Sequence, residues 1–120
     1  MKAAFESAIP ILRIVDVDKA LAFWVGFLGF SVEWTHRTGD AGPTYLSIIR
    51  GDCRIHLSEH HGDGCPGAVV FVPVADIAAL HAELIAKDYP FMRPTLDDSG
   101  HDSRSVQVID PFGNRVRFDG

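Results

Sequence analysis

No apolar run in this sequence approaches the roughly 18 residues of a membrane-spanning helix, and the opening Met1-Lys2-Ala3-Ala4-Phe5-Glu6 has no signal-type apolar region. A cytoplasmic protein is expected. Cysteine is scarce: Cys53 and Cys65 form neither a Cys-x-x-Cys redox motif nor half of a repeated zinc pattern, so two reduced thiols are expected rather than a disulfide framework. Basic residues are in deficit, 11 against 16 acidic ones for a formal charge of -5, which repels phosphate backbones and argues against a nucleic-acid partner. Residues 61–120 hold five basic and nine acidic side chains, an excess that either favours a cationic ligand there or simply keeps the surface solvated.

What is present is a globular composition. With 47% hydrophobic and 22% charged residues, disorder and collagen-like structure are excluded. A chain of 120 residues is expected to form a single domain over 1–120, removing roughly two thirds of its unfolded surface from water without disulfides or a structural metal.

Ile9-Pro10-Ile11-Leu12-Arg13-Ile14-Val15 reads as a strand with its proline near the start. Asp16 or Asp18 can cap a following helix, in which Ala20, Phe23, Trp24 and Phe27 form one stripe and Leu21, Val25 and Leu28 a second, before Gly29. So greasy a helix needs cover on more than one face, either from the rest of the monomer or from a subunit contact. Strands are expected over Ser31 to Arg37, Thr44 to Arg50 and Cys53 to Ser58. The order then begins again, with a strand over Ala68 to Val74 and a helix from Asp76 through Lys87. Strands near Phe91 to Leu96, Arg104 to Ile109 and Arg115 to Asp119 follow, the last two joined by the turn Asp110-Pro111-Phe112-Gly113-Asn114. Superposing Leu12, Ile14 and Asp18 on Val70, Val72 and Asp76 gives an offset of 58 residues. The expected architecture is therefore α+β, with two tandem βαβββ modules, about 8–59 and about 67–120, whose curved mixed sheets form a trough. Troughs with a few polar groups are where small ligands bind.

Ala8-Ile9-Pro10-Ile11-Leu12 with Asp16-Val17, Ala22-Phe23-Trp24 with Leu28-Gly29-Phe30, the run Ile55 to Asp63, and Asp110-Pro111-Phe112-Gly113-Asn114-Arg115 resemble the glyoxalase/bleomycin-resistance family, also called the vicinal oxygen chelate superfamily. The resemblance spans essentially the whole chain and is greatest to the bleomycin-resistance branch. It implies a homodimer that exchanges its N-terminal strand, with Pro10 at the hinge side, and that sequesters a drug.

Catalytic members of the superfamily hold a divalent metal with four side chains, and the resemblance places those positions at Ile9, His56, Ala68 and Arg117. Isoleucine and alanine offer no lone pair, and arginine puts a positive charge where the cation would sit. No cofactor is therefore expected. An improvised site from His56, Glu59 and His60 is the alternative, but it lacks the usual four convergent ligands, and neighbouring His60 and His61 point apart if the segment is extended. The same run can also act as a polar connector or as a ligand rim.

Alternation puts Arg54, His56 and Ser58 on one face of their strand, and in the second module groups Gln107 with Ser105 and Arg117 with Arg115. Glu33-Trp34 matches the acidic–aromatic pair that contributes to the drug cleft of the resembling proteins; Trp34 can equally be core. The aromatic loop those proteins carry before the seventh strand is replaced here by Asp97-Asp98-Ser99-Gly100-His101-Asp102. Glu33, Trp34, Arg54, His56, Ser58, Gln107 and Arg117 are thus the expected ligand-binding residues. The expected activity is metal-free binding of a small molecule, of the bleomycin type, without catalysis. The alternative is a lyase, isomerase or dioxygenase using an unusual metal site or His56 and Glu59 as acid and base.

Overall fold

The structure, a computed structural model, describes residues 2–98 and 104–120. Two four-stranded mixed sheets each carry one helical layer. The first sheet has the order β1-β4-β3-β2, from β1 (Ile11–Arg13), β2 (Ser31–Arg37), β3 (Thr44–Arg50) and β4 (Cys53–Ser58). The second repeats it as β5-β8-β7-β6, from β5 (Val69–Pro73), β6 (Leu96–Asp97), β7 (Ser105–Ile109) and β8 (Arg115–Asp119). In each sheet the first strand runs parallel to the last and the other pairs are antiparallel. The α+β class and the repeated βαβββ order are as expected. Among the described residues no helix is long and apolar enough to cross a membrane.

The repeat offset is 60 residues at the strand–helix junction rather than 58. Ile14 N donates to Ser58 O at 2.9 Å and Val74 N to Asp119 O at 2.8 Å, so Ile14 and Val74 are the equivalent pair. Asp16 and Asp76 are the matching caps, each accepting from the backbone N–H three residues on, Lys19 and Ala79, at 3.0 Å. The two-residue slip was invisible to the apolar pattern because a strand repeats its faces every two residues.

The first helix also departs from expectation. α1 (Val17–Leu21) runs on into a π-helical segment (Ala22–Phe27), marked by the bond from Leu28 N to Phe23 O at 2.9 Å. Gly29 ends it at φ +76°, a conformation costly for any residue with a Cβ. Phe23, Trp24, Phe27 and Leu28 are all buried within the one chain. Part of the cover comes from the second module: Tyr89, beyond α2 (Ile77–Ala86), stacks on Phe27 with centroids 4.5 Å apart. Lys87 Nζ donates to Phe27 O at 2.9 Å. Arg50 Nη1 donates to Leu28 O at 2.8 Å while its guanidinium grips Glu83 of α2. The surplus apolar surface of this helix is therefore covered inside the monomer.

The turn Asp110–Asn114 closes the seam from the other side. The Asp110 carboxylate accepts from Phe112 N, Asn114 N, Asn114 Nδ2 and, at 3.4 Å, the indole of Trp24. Asn114 Nδ2 also donates to Arg13 O on β1 at 2.8 Å. Burial pushes the Asp110 carboxyl above its ordinary value, against the lowering effect of those bonds.

Two further differences concern the ends of elements. The strand expected near Phe91 to Leu96 is reduced to Leu96–Asp97, because Pro90 and Pro94 lack the N–H that a ladder requires. Residues 2–9 run exposed, with Phe5 97% accessible. The radius of gyration is 15.4 Å, against about 13.6 Å for a compact chain of this length.

Candidate functional site

The helical layer takes one face of the first sheet, with Leu12, Ile14, Leu46, Ile48, Ile55 and Leu57 pointing into the core. The opposite face carries the alternate residues in cross-strand rows. One row is Trp34, Ser47, His56 and Ile11; beside it lie His36, Tyr45, Ser58 and Arg13, and on the other side Ser31, Ile49 and Arg54. A bulge between Val32 and Trp34 adds Glu33 to β2. The extra residue breaks the alternation, so both Glu33 and Trp34 reach the same face.

Trp34 and Tyr45 stack with centroids 5.8 Å apart and planes 10° from parallel. His56 meets both edge-on, at 5.3 Å from Trp34 and 5.2 Å from Tyr45. A hydrogen bond of 2.7 Å joins Tyr45 Oη to His56 Nδ1. Burial, then the Arg54 charge, lowers the His56 pKa from its ordinary 6.5, so the ring is neutral at pH 7. Burial and the nearby Asp63 raise the Tyr45 pKa, and it remains a phenol. Trp34 is 47% exposed, which excludes it from the core.

Glu33 is locked beside these rings. Its Oε1 accepts from Ser47 Oγ and from Arg54 Nε, both at 2.7 Å, and its Oε2 accepts from Arg54 Nη2 at 2.9 Å. These bonds, Arg54 first, bring the Glu33 pKa down to about 2.

The expected site residues fall into two groups. Glu33, Trp34, Arg54 and His56 come together on the first module. Ser58 shares their face but is fully buried, donating to Asp63 Oδ2 at 2.7 Å and accepting from His60 N at 3.0 Å, so it anchors the connector. Gln107 and Arg117 are register partners on the second module and line, with Thr95, Asp97 and Ser105, a polar cavity of about 320 Å³. Tyr45 and Ser47 are members of the first group that sequence reasoning missed. Their signal was available: both precede apolar residues in the alternation of β3 and lie opposite β4. The substituted acidic loop is described only at Asp97 and Asp98, its remainder lying outside the described residues.

The metal positions do not make a metal centre. Ile9 precedes β1 and Ala68 precedes β5, each without a donor side chain, and Arg117 sits beside Gln107. The alternative set fares no better, since Glu59 Oε1 accepts from Thr44 N at 2.9 Å and the His60 ring leans on Tyr45. Among the described residues no three His, Cys, Asp or Glu side chains converge to hold a metal ion.

An open face that offers stacked rings, a neutral imidazole and a fixed ion pair is chemistry for holding a flat polar molecule. The class is thus a paired βαβββ fold whose first sheet carries an aromatic open face. A family model described as "Glyoxalase superfamily protein" matches residues 1–120, and the chain belongs to this glyoxalase/bleomycin-resistance family. A bleomycin resistance protein of Geobacillus stearothermophilus is 27% identical over 129 residues, covering 92% of this chain and 93% of that one. The bleomycin-binding protein of Streptomyces verticillus, solved with copper(II)-bleomycin, is 32% identical, covers 98% of this chain and 97% of its own, and superposes with a TM-score of 0.69. An antibiotic binding protein from Streptomyces sp. CB03234, 18% identical with 98% of each chain covered and a TM-score of 0.66, shares the fold.

Proposed function

We propose that this chain is a binding protein that sequesters a flat, polar, partly aromatic small molecule, an antibiotic of the kind its relatives bind, and so protects the cytoplasm without bond chemistry or a metal. The observation that carries this reading is Trp34, half exposed yet held flat against Tyr45 and edge-on to His56. A large apolar ring kept rigid at the surface gives nothing to the core and is ready to stack on a ligand. Glu59, the second group of an acid–base pair, is already committed to Thr44 N, which speaks against catalysis by His56 and Glu59.

The protein acts as a homodimer in which the N-terminal segment ahead of Pro10, residues 2–9, is exchanged, while β1 keeps its pairing with β4 of its own chain. Support comes from the bare arm over residues 2–9 and from the free-standing Phe5. Calorimetric titration with metal-free and copper-loaded bleomycin tests the drug assignment: binding lost in Trp34→Ala is expected, and no heat at high micromolar ligand would exclude that drug. Elemental analysis of protein purified without chelator should find no stoichiometric metal; one metal per chain would favour the alternative, an enzyme with an unusual metal site.

A further inference from the structure

Glu33 looks from the sequence like an acid waiting for a cation. Its hydrogen bonds say otherwise. A carboxylate offers about four acceptor directions, and three of them are filled, two by Arg54 and one by Ser47. The other acids near this face are also engaged, Asp63 by Ser58 Oγ and Glu59 by Thr44 N.

Arg54 is in the opposite condition. A guanidinium has two bidentate forks, one made by Nε and Nη2 and the other by Nη1 and Nη2. Glu33 occupies the first. The second has no partner among the described residues, and the Arg54 side chain is 43% exposed. Arg54 lies two residues along β4 from His56, about 7 Å in an extended strand, in the row next to the one that holds Trp34 and His56. It also lines a cavity of about 810 Å³ that Trp34, Tyr45 and His56 do not reach, with walls apolar at Phe30, Val70, Phe71 and Phe118 and acidic at Asp52, Asp76 and Glu83. A planar oxyanion at the edge of a ring stacked on Trp34 therefore meets an open donor fork in the neighbouring row.

We propose that the trough selects flat anions: a fused-ring carboxylate or sulfonate stacks on Trp34 and takes the open fork of Arg54, while Glu33 and Ser47 act as positioning residues that hold the guanidinium in place. This rests on the reading of the Trp34–Tyr45–His56 face as the ligand site and narrows it to a charge class. Fixing the guanidinium in advance spares the ordering cost of a long side chain on binding.

Three probes of one shape test it on the full-length chain: anthraquinone-2-carboxylate, the uncharged 2-(hydroxymethyl)anthraquinone and the cationic 2-(aminomethyl)anthraquinone, each titrated calorimetrically. The expected order is anion, then uncharged probe, then cation, with the anion at least tenfold tighter than the uncharged one in low salt. Arg54→Met should abolish that advantage and, by baring Glu33, make the cation the tightest of the three. Glu33→Gln should keep the preference for the anion but weaken it several-fold. Binding of the uncharged probe, and its loss in Trp34→Ala, reports the site itself. If that probe binds but the anion gains nothing over it, or the cation wins in the unaltered protein, the charge assignment is overturned and the site reading survives. If no probe binds, both fall.

Discussion

Replacing Asp110 with alanine should loosen the seam between the two modules. The carboxylate is 4% exposed and accepts four hydrogen bonds. Phe112 N is close enough to solvent to find water, and Asn114 Nδ2 keeps its bond to Arg13 O. Asn114 N and Trp24 Nε1 are buried and would be left without an acceptor, a loss of about 1–3 kcal/mol each. Removing the buried charge returns part of this, because the raised pKa means the carboxylate is held at a cost. A net loss of roughly 2–3 kcal/mol is expected, a large share of the roughly 5–15 kcal/mol that stabilises a typical domain. At this chain length it corresponds to about 8–12 °C in Tm. Urea unfolding followed by tryptophan fluorescence measures it as a fall in midpoint at constant slope. The sign with pH is a second check. A carboxyl whose folded pKa is raised contributes stability that is complete below its unfolded value of 3.8 and is lost as pH rises through the folded value. The gap between the unaltered protein and Asp110→Ala should therefore be wider at pH 3.5 than at pH 7. A loss below about 1 kcal/mol, or a gap that widens towards neutral pH, would refute this account of the seam.

The His56 ring should titrate below 6.5 by NMR, and Arg54→Met should move its midpoint upward, since the Arg54 charge lowers it and the nearby Glu33 raises it. Arg50→Ala should cost only about 1 kcal/mol in chemical denaturation, because the pair with Glu83 is more than a third exposed and solvent screens it. Deleting residues 1–8 should convert dimer to monomer in sedimentation without unfolding the sheets; an unchanged molecular mass would remove the segment-exchange proposal.

The legible parts of the fold were those fixed by local physics. Alternation located β2, β3 and β4, and an acid marked the cap of the second helix at Asp76, whereas for the first helix Asp16 and Asp18 were equally open and the structure selects Asp16. The π-helical segment was not legible, since the same stripe of Phe23, Trp24 and Phe27 serves an α-helix as well. The seam was hidden for another reason: the Asp110–Asn114 sequence announces a turn, but nothing local says that its side chains reach Trp24 and Arg13 across the modules. In the candidate site, His56 and Arg54 followed from strand parity. Tyr45 was passed over because an aromatic residue among leucine and isoleucine reads as core, although its parity opposes theirs. Glu33 and Trp34 were paired by resemblance, and only the bulge explains how neighbours share a face. The lock on Glu33 depends on Arg54, 21 residues away, and no local pattern signals it.

The two tryptophans allow the most direct measurement. Trp24 is fully buried with its indole on Asp110, whereas Trp34 stands on the open face. Indole N–H resonances followed during titration with a flat ligand should show Trp34 shifting in proportion to occupancy while Trp24 stays still. A saturable shift confined to Trp24, or binding that leaves the Trp34 signal unmoved, would contradict the account.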